Sequence, residues 1–374
     1  MTLPERCDVA IVGGGPAGSA LAALLARAGG RPVLLEKDRF PRAKVCGEFL
    51  SMEAQGLLRR IGCLEAVQER APAVIEHARF FSPSGQRVEF ALGAGSLGLS
   101  RFALDETLFR HAQDSGATAL EDAEVLKIVP DVGGTTLILS KGRALRAELV
   151  IAAGGRRLVP AAAKSAPLFV GYKRRHRFVS SADAADLDGC VEIYLFKDGY
   201  CGVNGVEDGA VNVCLLADDS WLASLPSPKW EAVAVEMGRL NPSLGKRLLS
   251  LRPDGDPLAV ARISLSAPGP VSGSLLRVGD AAGMIAPLCG DGQAMALDSA
   301  ILLAELMATT ERADLPAAWT VAWQRRYRFR LRVGRGLQGL LLKPRASEAA
   351  LAACALWPAL PRFLLTATRG KKVV

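Results

Sequence analysis

The stretch Val9-Ala10-Ile11-Val12-Gly13-Gly14-Gly15-Pro16-Ala17-Gly18 constrains this chain more than any other. An apolar run feeds a glycine turn, an alanine-rich segment follows at 19–28, and Pro32-Val33-Leu34-Leu35-Glu36 completes the pattern. The order predicts strand, turn, helix and second strand, with both strands parallel because the helix crosses between them. Gly13 permits the tight turn, Gly15 lets the backbone approach a pyrophosphate, and Gly18 lets the helix pack closely on the sheet. Pro16 and Ala17 open that helix, whose free N–H groups and partial positive charge suit phosphate. Glu36 ends the second strand about 20 residues past the glycines, where a carboxylate accepts hydrogen bonds from ribose hydroxyls. The same carboxylate repels a 2′-phosphate, which disfavours NADP at this position.

Far downstream, an apolar strand runs into Arg277-Val278-Gly279-Asp280-Ala281-Ala282-Gly283. Together the two motifs read as two halves of one FAD site, which narrows the chemistry to flavin redox reactions. The 374 residues allow two or three domains, and the composition is that of a globular protein. The net charge of +8 thickens in Arg325-Arg326-Tyr327-Arg328-Phe329-Arg330-Leu331-Arg332 and in Arg369-Gly370-Lys371-Lys372. These runs are read as solvated helix faces, with contact to a membrane surface as the alternative. No recognition motif accompanies the charge, so nucleic acid is not an expected partner. Eight cysteines without metal-type spacing read as free thiols, and no metal site is expected. Met1 runs directly into the first strand and no convincing membrane span follows, so the expected location is cytoplasmic, with surface association at a membrane as an option.

After the first unit, a loop at 37–48 precedes a helical stretch at 51–68, and strand-like pieces fall at 78–81 and 87–90. Leu99-Ser100-Arg101 leads into an amphipathic helix at 103–114, and a buried-type strand covers 147–153. The middle of the chain changes character. Runs at 190–196, 200–206 and 210–216 are three β-segments, with Asp198-Gly199 and Asp208-Gly209 as hairpin signals. Val191, Ile193, Leu195, Val203, Val211, Val213 and Leu215 alternate as in a sheet with one covered face. A helical connector covers 230–240, and the chain is helical by pattern after Leu297. The expected fold is therefore α/β with an antiparallel insert. A discontinuous Rossmann-type domain covers 1–75, 100–165 and 270–310, a substrate-binding sheet domain covers 76–99 and 166–269, and a helical region covers 311–374.

At this point the sequence resembles the flavoprotein superfamily that contains p-hydroxybenzoate hydroxylase, the geranylgeranyl reductases, FixC-type electron-transfer flavoproteins and flavin halogenases. The resemblance covers about residues 5–310. It is closest to the geranylgeranyl-reductase-like branch through Phe40-Pro41-Arg42-Ala43-Lys44-Val45-Cys46-Gly47-Glu48 and the motif at 279–283. It implies that Asp280 bonds a ribityl hydroxyl and that the loop Pro287-Leu288-Cys289-Gly290-Asp291-Gly292 lies against the isoalloxazine. It also implies that Arg101 reaches the phosphate and ribityl region and that Arg42 and Cys46-Gly47-Glu48 run past the flavin. Lys37, Val125 and Gly279 complete the expected cofactor set. For Cys46, small-residue packing and a role at the flavin stand equal.

Ala153 stands where family members usually carry an aspartate that supports use of pyridine nucleotide. NAD(P)H is thus an option as electron donor, and a donor protein becomes more plausible. The halogenase Trp-x-Trp-x-Ile-Pro signature is absent. Two reactions fit a hydrophobic substrate: oxygenation of a polyketide- or isoprenoid-like compound, which is favoured, and reduction of a lipid double bond. A FixC-like electron carrier is the third reading. Cys46, Glu48 and Tyr200 are the candidate catalytic residues. The histidines His77, His111 and His176 sit in no constellation.

Overall fold

The computed structural model describes residues 2–158 and 168–369. Gly370, Lys371 and Lys372 of the basic tail, and the expected domain boundary near 165, lie outside the described residues.

Two sheets organise the chain. The first has a parallel centre: Arg6–Val12 pairs with Val33–Leu35 on one side and Ala144–Ala152 on the other, and Thr118–Leu120 and Leu275–Arg277 extend it. The inner stretches of the central strands, Ala10-Ile11-Val12, Val33-Leu34-Leu35 and Val150-Ile151-Ala152, are apolar because both faces are covered there. Ile11, Leu34 and Ile151 pack with the helices Pro16–Arg27, Arg101–Asp114 and Gly292–Thr309. Their neighbours Val12, Val33, Leu35 and Val150 face the opposite way, toward Leu137, Leu139 and Leu145. Leu137 and Leu139 come from an antiparallel hairpin, Val125–Asp131 and Gly134–Leu139, attached to Ala144–Ala152, which itself carries Leu145. The fold is therefore α/β with a Rossmann-like nucleotide-binding unit, as the sequence predicts.

The second sheet is larger than the three runs read from sequence. Its central strands are Val211–Asp218, Gly199–Gly205, Gly189–Phe196, Ala73–Phe81 and Arg87–Gly98. Leu168–Phe178 joins along Val211–Asp218, a strand concealed in sequence by Lys173-Arg174-Arg175-His176-Arg177. Both faces of this sheet are covered. Val203, Val211, Val213 and Leu215 pack with the helices Trp230–Leu240 and Pro242–Leu249, whereas Val191, Ile193 and Leu195 belong to other clusters. The expected single covered face is corrected by register: Val203 is opposite Glu192, and Ile193 is opposite Gly202, so the two valine-rich sets lie on opposite sides of the pleat.

The helical stretch expected at 51–68 is two helices, Met52–Ile61 and Leu64–Gln68, split at Gly62 with φ of 80°. The Ile61 carbonyl at the end of the first of these helices accepts from Arg27 Nη1 at 2.6 Å. The C-terminal helices are Leu315–Leu341, Pro344–Leu356 and Ala359–Thr368. Within the basic run of the first, Arg330 is buried rather than solvated, because it pairs with Asp291 and Glu53.

Candidate functional site

A cavity of about 1000 Å³ lies between the glycine turn of the first sheet and the inner face of the second. Its volume is at the upper end for ligand pockets. One end is polar, built from the turn at 13–17, Glu36, Lys37, Lys44 and Arg101. The other end is apolar, built from Phe80, Phe90, Ile193, Leu216, Val260 and Leu288.

The turn is held by backbone and by one carboxylate. Gly13 N–H donates to Leu35 O at 2.8 Å, and its φ of 115° is the left-handed conformation that favours glycine. Gly14 N–H donates to Glu36 Oε2 at 2.8 Å. A Cβ on Gly18 would lie 1.9 Å from Gly13 O, so this position is fixed by helix-to-turn contact rather than by the cavity. Beside Gly15, by contrast, the nearest group to such a Cβ is Arg101 Nη2 at 3.8 Å, which leaves the turn open toward the guanidinium.

Arg101 is positioned by Asp105, one turn along the same helix. Its Nε and Nη2 donate to the two Asp105 oxygens at 2.6 and 2.7 Å. Arg42 Nη1 donates to the same carboxylate at 2.6 Å, and its Nη2 to Glu36 at 3.3 Å. Arg42 does not line the cavity; it ties Glu36 to Asp105 from behind. Burial opposes ionisation of Asp105, but Arg101 and Arg42 prevail and hold its pKa below the ordinary carboxylate value. Burial, with Arg42 and Arg101 beside it, pushes the Lys44 ammonium down to about 8. Asp105 lies in no motif, and Lys44, though inside the segment 40–48, was not singled out there. A carboxylate one helical turn after Arg101 is the only sequence signal that points to the first.

The loop at 46–48 forms the middle wall. Cys46 Sγ accepts from Gln293 Nε2 at 3.2 Å, and Cys46 O accepts from Asn212 Nδ2 at 3.1 Å. Glu48 has φ of 55° and is buried in an ion pair with Lys173, and it also accepts from Arg101 N–H at 2.7 Å. Burial pushes the Glu48 carboxyl up, and Lys173 pulls it down. Bound to both partners, Glu48 anchors the loop to the second sheet. Tyr200 also lines the cavity, and its hydroxyl has no hydrogen-bond partner among the described residues. Burial drives its phenol far above the ordinary value, so it keeps its proton. Cys214, not singled out in sequence, and Cys289 of the loop at 287–292 line the cavity too. Burial pushes both thiols up, Cys289 to about 12.

Gly47, Val125, Gly279, Asp280, Pro287, Gly290 and Gly292 all line the cavity, but Asp291 does not. The buried Asp291 accepts from Ser51 Oγ at 2.7 Å and pairs with Arg330, so it is turned away from the place expected for it at the ring. Asp280 is half-buried and hydrogen-bonds to no described residue. Burial pushes its carboxyl up against the pull of Arg156 and Arg101. Arg156, also in the wall, was not legible in sequence. Away from the cavity, the ligating atoms of His77, Glu89 and Cys190 lie within 4.8 Å of one another, so one histidine does sit in a constellation. Arg79 occupies that cluster as its cation, donating to Glu89 at 2.9 Å and to Cys190 Sγ at 3.5 Å.

Comparison with known proteins agrees with this geometry. The FAD binding domain family matches residues 6–183. The menaquinone reductase of Mycolicibacterium smegmatis is 29% identical over 361 residues, covering 91% of this chain and 86% of its own. Among solved structures, a geranylgeranyl bacteriochlorophyll reductase-like protein from Thermoplasma acidophilum superposes with a TM-score of 0.74 at 20% identity, covering 90% of this chain and 88% of that one. The flavin-dependent brominase Bmp2 superposes with a TM-score of 0.79 at 17% identity, covering 97% and 93%.

The cofactor is FAD. The residues present fit it on three counts: an open glycine turn facing Arg101, a carboxylate at the end of the second strand, and a half-buried Asp280 whose acceptors are unused.

Proposed function

We propose that this chain, a member of the FAD-dependent oxidoreductases that include the geranylgeranyl-reductase-like proteins and the flavin halogenases, reduces a carbon–carbon double bond in an apolar lipid of the isoprenoid or quinone type. The observation that carries this reading is the outer half of the cavity. It is walled by Phe80, Phe90, Ile193, Leu216 and Val260, and Tyr200 brings to it a protonated hydroxyl with no hydrogen-bond partner among the described residues. A phenolic proton donor beside these apolar residues suits protonation of a carbon that has just accepted electrons. Similarity along nearly the whole chain to a menaquinone reductase supports the same substrate class.

Bound FAD supplies the two-electron chemistry. Arg101, held in place by Asp105, and the turn at 13–17 bind the pyrophosphate. Glu36 binds the ribose, and Asp280 the ribityl chain. The Glu48–Lys173 pair fixes the loop at 46–48 to the second sheet, where it would bound the cofactor's site. The phenylalanines exclude water from the substrate, and Tyr200 supplies the proton.

Oxygenation is the second reading, favoured in sequence by the run Gly290-Asp291-Gly292-Gln293. In the structure Asp291 is committed to Ser51 and Arg330, so that run reaches the cavity through Gly290, Gly292 and Gln293 instead. Incubation of the reduced holoprotein with a menaquinone, analysed by mass spectrometry under nitrogen and then in air, tests the choice. A gain of two hydrogens without oxygen is expected. Insertion of an oxygen atom that depends on air overturns reduction in favour of oxygenation. Running the reaction with NADH, NADPH or dithionite as reductant identifies whether a pyridine nucleotide suffices despite Ala153.

A further inference from the structure

The helix Leu315–Leu341 turns Trp323, Tyr327, Leu331 and Gln338 inward. Its outward face carries Arg325, Arg328, Arg332 and Arg335 at spacings of three and four, with Lys343 just beyond its end. None of these five cations pairs with a carboxylate among the described residues. Between them stand two apolar side chains, Phe329 at 66% exposure and Leu340 at 48%. Within residues 315–369 the sole acidic residue is Glu348, and it is occupied by Ser84 at 2.9 Å.

The next two helices continue this surface. Pro344–Leu356 and Ala359–Thr368 meet at a bend of 117°, and the bend projects Leu356 at 88% exposure and Trp357 at 68%, with Phe363 at 69% on the following turn. Arg345 and Arg362 flank it as exposed cations. No single helix among the described residues is long and apolar enough to cross a bilayer. A cluster of protruding leucine, tryptophan and phenylalanine beside unpaired cations has one complementary partner. Anionic headgroups meet the arginines, and the acyl boundary receives the apolar apex. The surface is also continuous with the cavity, because Leu365 and Arg369 at the end of the same hairpin belong to its wall.

We infer that the C-terminal helices dock this protein onto an anionic lipid bilayer, with the cations of the long helix at headgroup level and Leu356, Trp357 and Phe363 inserted. This inference is independent of the reaction in the cavity. It is tested on the holoprotein by sedimentation with vesicles of phosphatidylcholine mixed with an equal part of phosphatidylglycerol, and with vesicles of phosphatidylcholine alone. The mixed vesicles are expected to bind roughly tenfold more tightly or better, with binding weakening as salt rises. Trp357→Glu combined with Phe363→Glu is expected to lower partitioning at least about tenfold on the same grounds. Arg328→Glu combined with Arg332→Glu is expected to abolish the preference for phosphatidylglycerol. Flavin absorbance and melting temperature, unchanged in both variants, certify the fold. A measurement without mutation stands beside these: tryptophan emission of the unaltered protein should be quenched by brominated phosphatidylcholine in the mixed vesicles. Absence of vesicle binding and quenching overturns the inference. So does an apex variant that binds like the parent. A parent dimer that the apex variant converts to monomer, without vesicle binding, assigns the surface to a second copy of the chain instead.

Discussion

Asp105→Asn isolates the network that positions Arg101. The Asp105 carboxylate is fully buried and accepts three guanidinium hydrogen bonds, at 2.6, 2.7 and 2.6 Å, from two arginines that are themselves nearly buried. The substitution keeps the shape, removes the negative charge, and points an amide donor at groups that only donate. Removing one partner of a buried pair costs about 3–5 kcal/mol, because the remaining charge stays desolvated and uncompensated. The matched control is Glu305→Gln. Its partner Arg60 lies at 2.5 Å, but both side chains are exposed, so about 1 kcal/mol or less is expected. Urea unfolding of the apoproteins reads both, as a fall in midpoint at unchanged slope. The pH dependence adds a second signature. The Asp105 pKa is held below its unfolded value, so its stabilisation is present above about 4 and is lost as pH falls through the folded value. Parent and variant stabilities should therefore converge in acid. Equal losses for the two substitutions, or a loss at Asp105 that persists unchanged in acid, would refute the argument that buried charge compensation holds this network.

Three further outcomes follow from the same cavity. The Lys44 ammonium, pushed down to about 8 in the absence of an anion, regains its proton beside a pyrophosphate. FAD affinity measured by flavin fluorescence titration should thus weaken as pH rises above about 8, and Lys44→Met should flatten that slope. In the apoprotein the same group makes stability rise from about 8 toward its unfolded value near 10.4, because the unfolded chain binds more protons there. Asp280→Ala should release FAD on dilution and gel filtration, and a variant that stays yellow with unchanged Kd removes Asp280 from the binding set. Tyr200→Phe should retain FAD while product formation falls roughly a hundredfold or more; unimpaired turnover excludes Tyr200 as the proton donor.

The nucleotide half of the fold was legible because its determinants are local. The glycine turn, the following helix and Glu36 lie within 24 residues of one another, and each is required by backbone geometry before any distant contact forms. The second sheet was legible only in its hairpins. Leu168–Phe178 carries the run Lys173-Arg174-Arg175-His176-Arg177, yet Lys173 is buried against Glu48, which lies 125 residues earlier. Only the folded chain supplies that counter-charge, so no local pattern of polarity could reveal a strand there. Asp105 and Arg156 were missed for the same reason, since each reads as an ordinary charged residue until the fold brings Arg42 or Asp280 beside it.

Asp291 marks the opposite failure, a motif residue whose place was inferred and whose partner was unknown. At the start of Gly292–Thr309 it makes no side-chain capping bond, and instead turns toward Arg330 of Leu315–Leu341. Arg330 Nε in turn donates to Thr368 O at 3.0 Å at the end of the last helix. Leu288 N–H donates to Gln338 of the long helix at 3.4 Å, and Gly334 packs within 3.1 Å of Cys289, measured from the position of an added Cβ. The loop at 287–292 is therefore built on the C-terminal helices, which carry the exposed cations and apolar apex on their other side. A displacement of the long helix cannot leave this loop in place, because a buried ion pair, a backbone hydrogen bond and a close helix contact would all have to break together. The basic run that sequence presents as a solvated face is thus divided by the helical period. Arg330 holds the cavity wall, while Arg328 and Arg332, two residues to either side, stand in solvent.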